Sequence, residues 1–180
     1  MKLQFQKDAL ISSINIAIKA VPSKSTMPIM ECLLLDASNG KICLVGNDTE
    51  FGIETVCRGE ILEAGKVALD ARLFSEIIKK LPQDNELSVL IESDEHFVTT
   101  IRCEKSVFKI SGKDGNEFTM IPGIDRSNSV SLSQFTLKSF INQTIFSVAL
   151  NESNKKMTGE FLEVKGDLFS VCSLDGHRIS

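Results

Sequence analysis

Residues 34–51 read LLDASNGKICLVGNDTEF, two apolar runs around Ser38-Asn39-Gly40, and the chain spells this pattern twice. Moved by 127 positions without a gap, the stretch falls on Phe161 to Arg178, FLEVKGDLFSVCSLDGHR. Leu34 meets Phe161, Leu35 meets Leu162, Ile42 meets Phe169, Leu44 meets Val171 and Asp48 meets Asp175. Working outward, the same shift sets Leu10, Ile14, Ile18 and Val21 on Leu137, Ile141, Ile145 and Val148. It also sets Ser12 on Ser139 and Asn15 on Asn142. One amphipathic helix aligns with another by chance easily, whereas a helix and a hairpin in a single gapless register do so rarely. The period far exceeds the roughly 20–50 residues of solenoid repeats, so a whole domain is duplicated in tandem.

A chain of 180 residues gives one to two domains. With 42% hydrophobic and 24% charged residues and only four prolines, it has the composition of an ordinary soluble globular protein. No run approaches the roughly 18 apolar residues of a membrane span. The opening MKLQFQKDAL lacks a signal peptide's apolar core, so a cytoplasmic protein without a membrane partner is expected. The five cysteines (Cys32, Cys43, Cys57, Cys103 and Cys172) are odd in number and never spaced as CxxC. Buried reduced thiols are expected, with no metal and no cofactor.

In order, KLQFQ at 2–6 alternates as a half-buried strand does. Leu10, Ile11, Ile14, Ala17, Ile18 and Val21 recur at helical spacing over 7–21, with Asp8 as N-cap and Pro22 as the stop. PSKSTMP (22–28) is a loop with Lys24 at its exposed centre. Met30–Leu35 and Lys41–Val45 form a hairpin around Asn39-Gly40, two residues that tolerate positive φ. Strands at 50–58 and 67–69, a helix at 71–81, and strands at 87–92, 96–102 and 106–111 complete the first unit. Residues 112–128 lack periodicity and read as a linker, with a boundary near 125: a first domain over 1–125 and a second opening over 126–180. The second unit restarts with a strand at Ser131, a helix over 137–150 and a hairpin. Neighbouring strands with two helices between them give an α+β class, antiparallel sheet with helices on one side. A complete second unit needs more residues than are present, so a fragment of a longer protein is expected.

Net charge is −4, but it is unevenly placed. The three helices hold Lys7, Lys19, Arg72, Lys79, Lys80 and Lys138 against Asp8 and Glu76. Of 20 basic and 24 acidic residues, that leaves 14 against 22 for the strands and loops. If those helices share one surface, it suits a phosphate backbone. Lys24, Lys155 and Lys156, in the loops after the first and third helices, add to it. Their Ser, Asn and Gln neighbours meet phosphates without reading base edges, and without Tyr or Trp the chain is ill suited to stacking single strands. Duplex contact fits better.

Enzymatic chemistry has few footholds. There is no nucleophile elbow, Walker loop or GxGxxG. His96 faces solvent at a turn, and Asp48 with Glu50 lacks a third metal ligand. The alternative is a cytosolic enzyme that uses the loop Asp175-Gly176-His177-Arg178, where an acid, a base and a cation cluster. A general α+β interaction module is a third possibility.

MKLQFQKDALISSI, SKSTMPIMECLLL, GKICLVGNDTEFGIE, ALDARLF and SLDGHRIS together resemble the N-terminal portion of bacterial sliding clamps, the β subunit of DNA polymerase III. The resemblance covers essentially the whole chain. It implies the DNA-clamp (processivity) fold: three domain copies per chain and a head-to-tail homodimer ring, sheets outside and helices on the inner face around duplex DNA. The chain then carries the first copy and the start of the second, with the third domain absent. It implies a processivity factor in DNA replication without catalytic residues or cofactors. Its partners would be duplex DNA and, through short peptides, the polymerase III alpha subunit, the clamp loader and repair polymerases.

Residue by residue, the resemblance places Lys24, Arg72, Asn151, Lys155 and Lys156 at DNA-contacting positions, Lys24 where the family often has arginine and the last three where it has polar and aromatic residues. Leu174, Gly176, His177 and Arg178, flanked by Asn154 and Met157, match part of the partner-peptide groove. Leu174 stands where threonine is common and Asn154 where arginine is. Phe108 matches the dimer interface.

Overall fold

Leu3 and Phe5 of β1 (Lys2–Gln6) point inward, as the alternation predicts, and the chain turns directly into α1 (Lys7–Ala17) and a 3-10 turn at Ile18–Ala20. The computed structural model describes residues 1–82, 88–121, 123, 125, 127, 129–150 and 154–180. It divides into two units, Met1–Gly123 and Ile124–Ser180. Among the described residues no helix is long and apolar enough to cross a membrane.

Unit 1 continues with β2 (Cys32–Asp36), β3 (Ile42–Asn47), β4 (Gly52–Cys57), β5 (Gly59–Glu63) and β6 (Lys66–Asp70). α2 (Ala71–Lys80), β7 (Ser88–Ser93), β8 (Val98–Cys103) and β9 (Ser106–Asp114) follow. Among the described residues, these strands join one antiparallel sheet in the order β4-β3-β2-β6-β9-β8-β7-β1-β5. The end strands β4 and β5 are separated along the chain only by Arg58. Leu10, Ile14 and Ala17 of α1 and Phe74, Ile77 and Ile78 of α2 share one core with Leu33, Leu35, Leu44, Val89, Ile91 and Ile101 of the strands.

β2 and β3 are buried on both faces. Leu33, Leu35, Ile42 and Leu44 look toward the helices. Cys32, Leu34 and Val45 form a second cluster with Ala68 and Phe118, against which Ile29 and Ile121 pack. Burial on both faces explains why these strands read as continuous apolar runs instead of alternating ones.

Several expectations are corrected. The strand read over 50–58 ends at Cys57, and β5 follows as a separate strand. β5 has little apolar patterning because its residues are mostly exposed at the sheet's end. The stretch read as linker belongs to unit 1 through Ile121: β9 runs to Asp114, Phe118 is buried, and the Asn47 side-chain amide donates to the Thr119 carbonyl at 2.9 Å. The expected strand at Ser131 is absent: residues 129–132 are irregular. β1 is a strand because β5 and β7 flank it, and a 127-residue shift carries both of those partners past residue 180.

Asp8 is not the N-cap. Gln6 occupies that position with no side-chain cap, and Asp8 lies in the first turn, where its charge suits the helix's positive end. Lys7 departs furthest from expectation. It is buried, and its ammonium donates to the carbonyls of Leu81 and, at 3.4 Å, Lys79. A cation on the last carbonyls of α2 satisfies orphan acceptors and opposes the negative end of the helix dipole. It fastens the start of one helix to the end of the other and is withdrawn from the basic surface.

Unit 2 repeats the first helix, 3-10 turn and hairpin of unit 1. α3 (Gln134–Thr144) and its 3-10 turn Ile145–Ser147 lie 127 residues after α1 and Ile18–Ala20. The helix therefore starts three residues before the expected 137, with Ser133 accepting the Thr136 N–H as a true N-cap. β10 (Phe161–Lys165) pairs with β11 (Leu168–Cys172) as Phe161↔Cys172 and Leu162↔Val171. β2 pairs with β3 as Leu34↔Val45 and Leu35↔Leu44, the same register.

The contact between helix and hairpin is also repeated. A Cβ on Gly46 would stand 2.3 Å from the Ala17 carbonyl oxygen, so only glycine allows this approach. Their counterparts, Ser173 and Thr144, meet by a hydrogen bond from the Ser173 hydroxyl to the Thr144 carbonyl. Gly46→Ala should cost about 1–3 kcal/mol through forced displacement of the helix end, and Lys7→Met about 1.5–3 kcal/mol through lost charge-assisted bonds. Urea unfolding followed by circular dichroism measures both. A loss below about 0.5 kcal/mol in either would contradict that role.

Candidate functional site

In unit 1 the fold brings Arg72 and Lys24 together. Asp70 caps α2 by accepting the Leu73 N–H at 2.8 Å, and the Ala71 N–H donates to the Glu31 carbonyl at 3.1 Å. The start of α2 is thereby tied to the 22–31 loop. From the second position of the helix, the exposed Arg72 guanidinium donates to the Ser23 carbonyl at 3.0 Å, one residue from Lys24. The Glu31 carboxylate accepts the Ser25 N–H at 2.8 Å. Both nearby carboxylates thus serve backbone amides, and a depression of about 290 Å³ lies between Pro22, Glu31 and Arg72. Lys19, Lys79 and Lys80 are also exposed on the helices.

In unit 2, Asn154 opens a 3-10 turn at Lys155–Thr158 by accepting the Lys156 N–H at 3.2 Å. Lys155 and Lys156 are exposed, and Met157 is half-buried with its carbonyl accepting the Ala149 N–H at 3.1 Å. Asn151 lies outside the described residues.

Leu174, Gly176, His177 and Arg178 share one small hairpin. Ser173 and Ser180 exchange both backbone hydrogen bonds at 3.0 Å, Leu174 bridges Ile179, and the Asp175 N–H donates to the Arg178 carbonyl at 3.2 Å. Asp175 Oδ1 accepts the His177 and Arg178 N–H groups at 3.0 and 2.8 Å, while the Arg178 guanidinium grips Oδ2 at 2.6 and 2.9 Å. Gly176 has φ +84°, open to glycine at little cost.

Unit 1 contains the same turn at Asp48, the aspartate weighed above with Glu50 as an incomplete metal site. Asp48 Oδ1 accepts the Glu50 and Phe51 N–H groups at 2.9 and 2.6 Å, and Thr49 holds φ +79° at the position of Gly176. The aspartate in DGHR therefore builds a turn.

That decides what the loop can do chemically. Hydrogen bonds from Arg178, and then from the His177 and Arg178 amides, hold the Asp175 carboxyl down at about 2. Asp175 meets His177 through the backbone amide, so no Asp–His pair of the catalytic kind is formed. His96 is exposed beside Glu95, and among the described residues no three His, Cys, Asp or Glu side chains are grouped to hold a metal ion. Burial pushes the thiols of Cys32, Cys43, Cys57 and Cys103 up, as inert core cysteines require. Phe108 stands exposed on β9 beside Val107.

An antiparallel sheet packed on α1 and α2, with the first helix and hairpin repeated at a fixed interval, defines the class: an α+β protein of tandem clamp-type domains. The model of the DNA polymerase III beta subunit N-terminal domain matches residues 1–122. The chain belongs to this family. It is 32% identical to the beta sliding clamp of Bacillus subtilis and 31% identical to that of Halalkalibacterium halodurans, covering all of this chain and 49% of each relative. Crystal structures agree: the B. subtilis clamp superposes with TM-score 0.90 over 99% of this chain and 48% of that one. A DNA polymerase III beta subunit from Eubacterium rectale does so with TM-score 0.91 at 52% identity, over 99% and 48%. The chain thus spans about half the length of the relatives it matches.

The lowered Asp175 carboxyl makes a testable statement about pH. Its folded value lies below the ordinary 3.8, so its contribution to the hairpin is complete above about 3.8 and disappears as pH falls through about 2. The carboxyl carbon, followed by NMR, should titrate near 2, with the His177 and Arg178 amides moving at the same midpoint. A midpoint near 3.8 would show the carboxylate to be unengaged.

Proposed function

We propose that the chain contributes one complete domain copy and the opening of a second to a sliding clamp, a ring that encircles duplex DNA and tethers the replicative polymerase. The observation that supports this best is the gapless repetition of helix, 3-10 turn and hairpin, register included, in a chain of this family. A ring assembled from like domains needs that repetition, and the solvent-facing Lys19, Arg72, Lys79, Lys80 and Lys138 give the helices a positive lining. Lys24, Arg72, Lys155 and Lys156, with Asn151, contact phosphates weakly, because tight or base-specific contacts would stop a ring from sliding. The acidic remainder discourages other contacts.

On the same reading, Leu174, Gly176, His177 and Arg178, flanked by Asn154 and Met157, form one side of a groove for short peptides of the polymerase III alpha subunit, the clamp loader and repair polymerases. Phe108 belongs to the surface that closes the homodimer. The protein works in the cytoplasm without chemistry of its own. An enzyme built on DGHR is the poorer reading, because Asp175 is committed to Arg178 and to its own turn.

The test is Lys24→Glu, Arg72→Glu and Lys155→Glu combined in the full-length protein. Duplex affinity should fall at least roughly tenfold at low salt, and the slope of log K against log salt should shrink by about 2–3. Unchanged affinity and slope would remove the DNA face from these residues.

A further inference from the structure

The turn that carries Leu174, His177 and Arg178 needs something to hold it, and in unit 2 that is a pair of serine hydroxyls of the hairpin that bond to carbonyls at the end of α3. Ser173, 2% exposed, donates to the Thr144 carbonyl. Ser180 Oγ, at the other foot of the hairpin, donates to the neighbouring Gln143 carbonyl at 3.1 Å. Thr144 is itself fixed, its hydroxyl lying 2.8 Å from Glu160 Oε1 and 2.9 Å from the Phe140 carbonyl. Both feet of the hairpin thus rest on two consecutive carbonyls at the end of the helix. Unit 1 solves the same problem differently: Gly46 packs directly on the Ala17 carbonyl, and Asn47 reaches Thr119. Leu174 replaces Asn47 in unit 2, so the hairpin there lacks that side-chain tie.

We propose that Ser173 is a positioning residue for the partner-peptide groove, its hydroxyl and that of Ser180 locking the Leu174–Arg178 hairpin to the C-terminal turn of α3. The inference rests on the groove reading above. A peptide docking on an already ordered hairpin does not bear the entropy of ordering it, so the lock raises affinity without touching the ligand. The helix that offers Lys138 to solvent thereby also sets the geometry of His177 and Arg178.

The test uses the full-length protein with Ser173→Ala, Ser180→Ala, His177→Ala and Arg178→Ala, and the purified polymerase III alpha subunit as probe. Hydrogen exchange by mass spectrometry should show residues 173–180 exchanging roughly three- to tenfold faster in Ser173→Ala, with the exchange of unit 1 unchanged. Affinity for the alpha subunit should fall by a similar factor, and that factor should shrink when Arg178→Ala is already present, because both act through one hairpin. Ser180→Ala should reproduce both effects more weakly. Unchanged exchange in both serine variants would overturn the lock. Faster exchange with unchanged affinity would overturn its role in binding. If His177→Ala and Arg178→Ala themselves leave affinity unchanged, the groove reading fails, and the exchange data still decide whether the serines hold the hairpin.

Discussion

The second strand of each hairpin runs into the carbonyl that ends the preceding helix, and the rest of each unit is arranged around that approach. In unit 1 it brings Gly46 against Ala17 with no room for a Cβ. In unit 2 it brings Ser173 onto Thr144 through a hydroxyl. Because the two elements are locked at this point, the residues that follow the strand emerge in a fixed direction. Both units use them for the same aspartate-nucleated turn, with positive φ at Thr49 and Gly176. The Asp175–Arg178 turn of unit 2 is therefore a variant of a turn that unit 1 also builds. His177 and Arg178 occupy places where unit 1 carries Glu50 and Phe51.

The same logic separates what holds the fold from what faces outward. Lys7 looks like a member of a basic helix face but closes the end of α2 from inside the protein. Arg72 looks equally exposed, yet its guanidinium also steadies the loop that presents Lys24. Charge on a helix is thus an incomplete guide to a binding surface. What matters is whether a carbonyl lies within reach, and that depends on contacts between residues far apart in sequence.

Much of the fold was legible because burial imposes pattern. The twice-buried β2 and β3 appear as unbroken apolar runs, and the helices as stripes ending at Pro22 and Pro82. The 127-residue shift found in the sequence holds in the structure for the helix, the 3-10 turn and the hairpin register. β5 was not legible because its exposed residues carry no apolar period. The missing strand at Ser131 misled because a strand's existence depends on partners that its own sequence does not name. Lys24, Arg72 and the DGHR loop stood out in the sequence as candidates because they are charged and lie in loops or at a helix start. The Ser173 contact was not, since a small serine in an apolar run carries no signal without its Thr144 partner.

The central claim is topological: the full-length protein holds DNA by surrounding it. The most direct measurement loads that protein onto nicked circular DNA with a clamp loader and ATP, isolates the complex by gel filtration, and then linearises the DNA. Retention on circles with release from linear ends is the predicted result, since a ring slides off a free end. Equal retention on circular and linear DNA would mean ordinary binding and would contradict the clamp account.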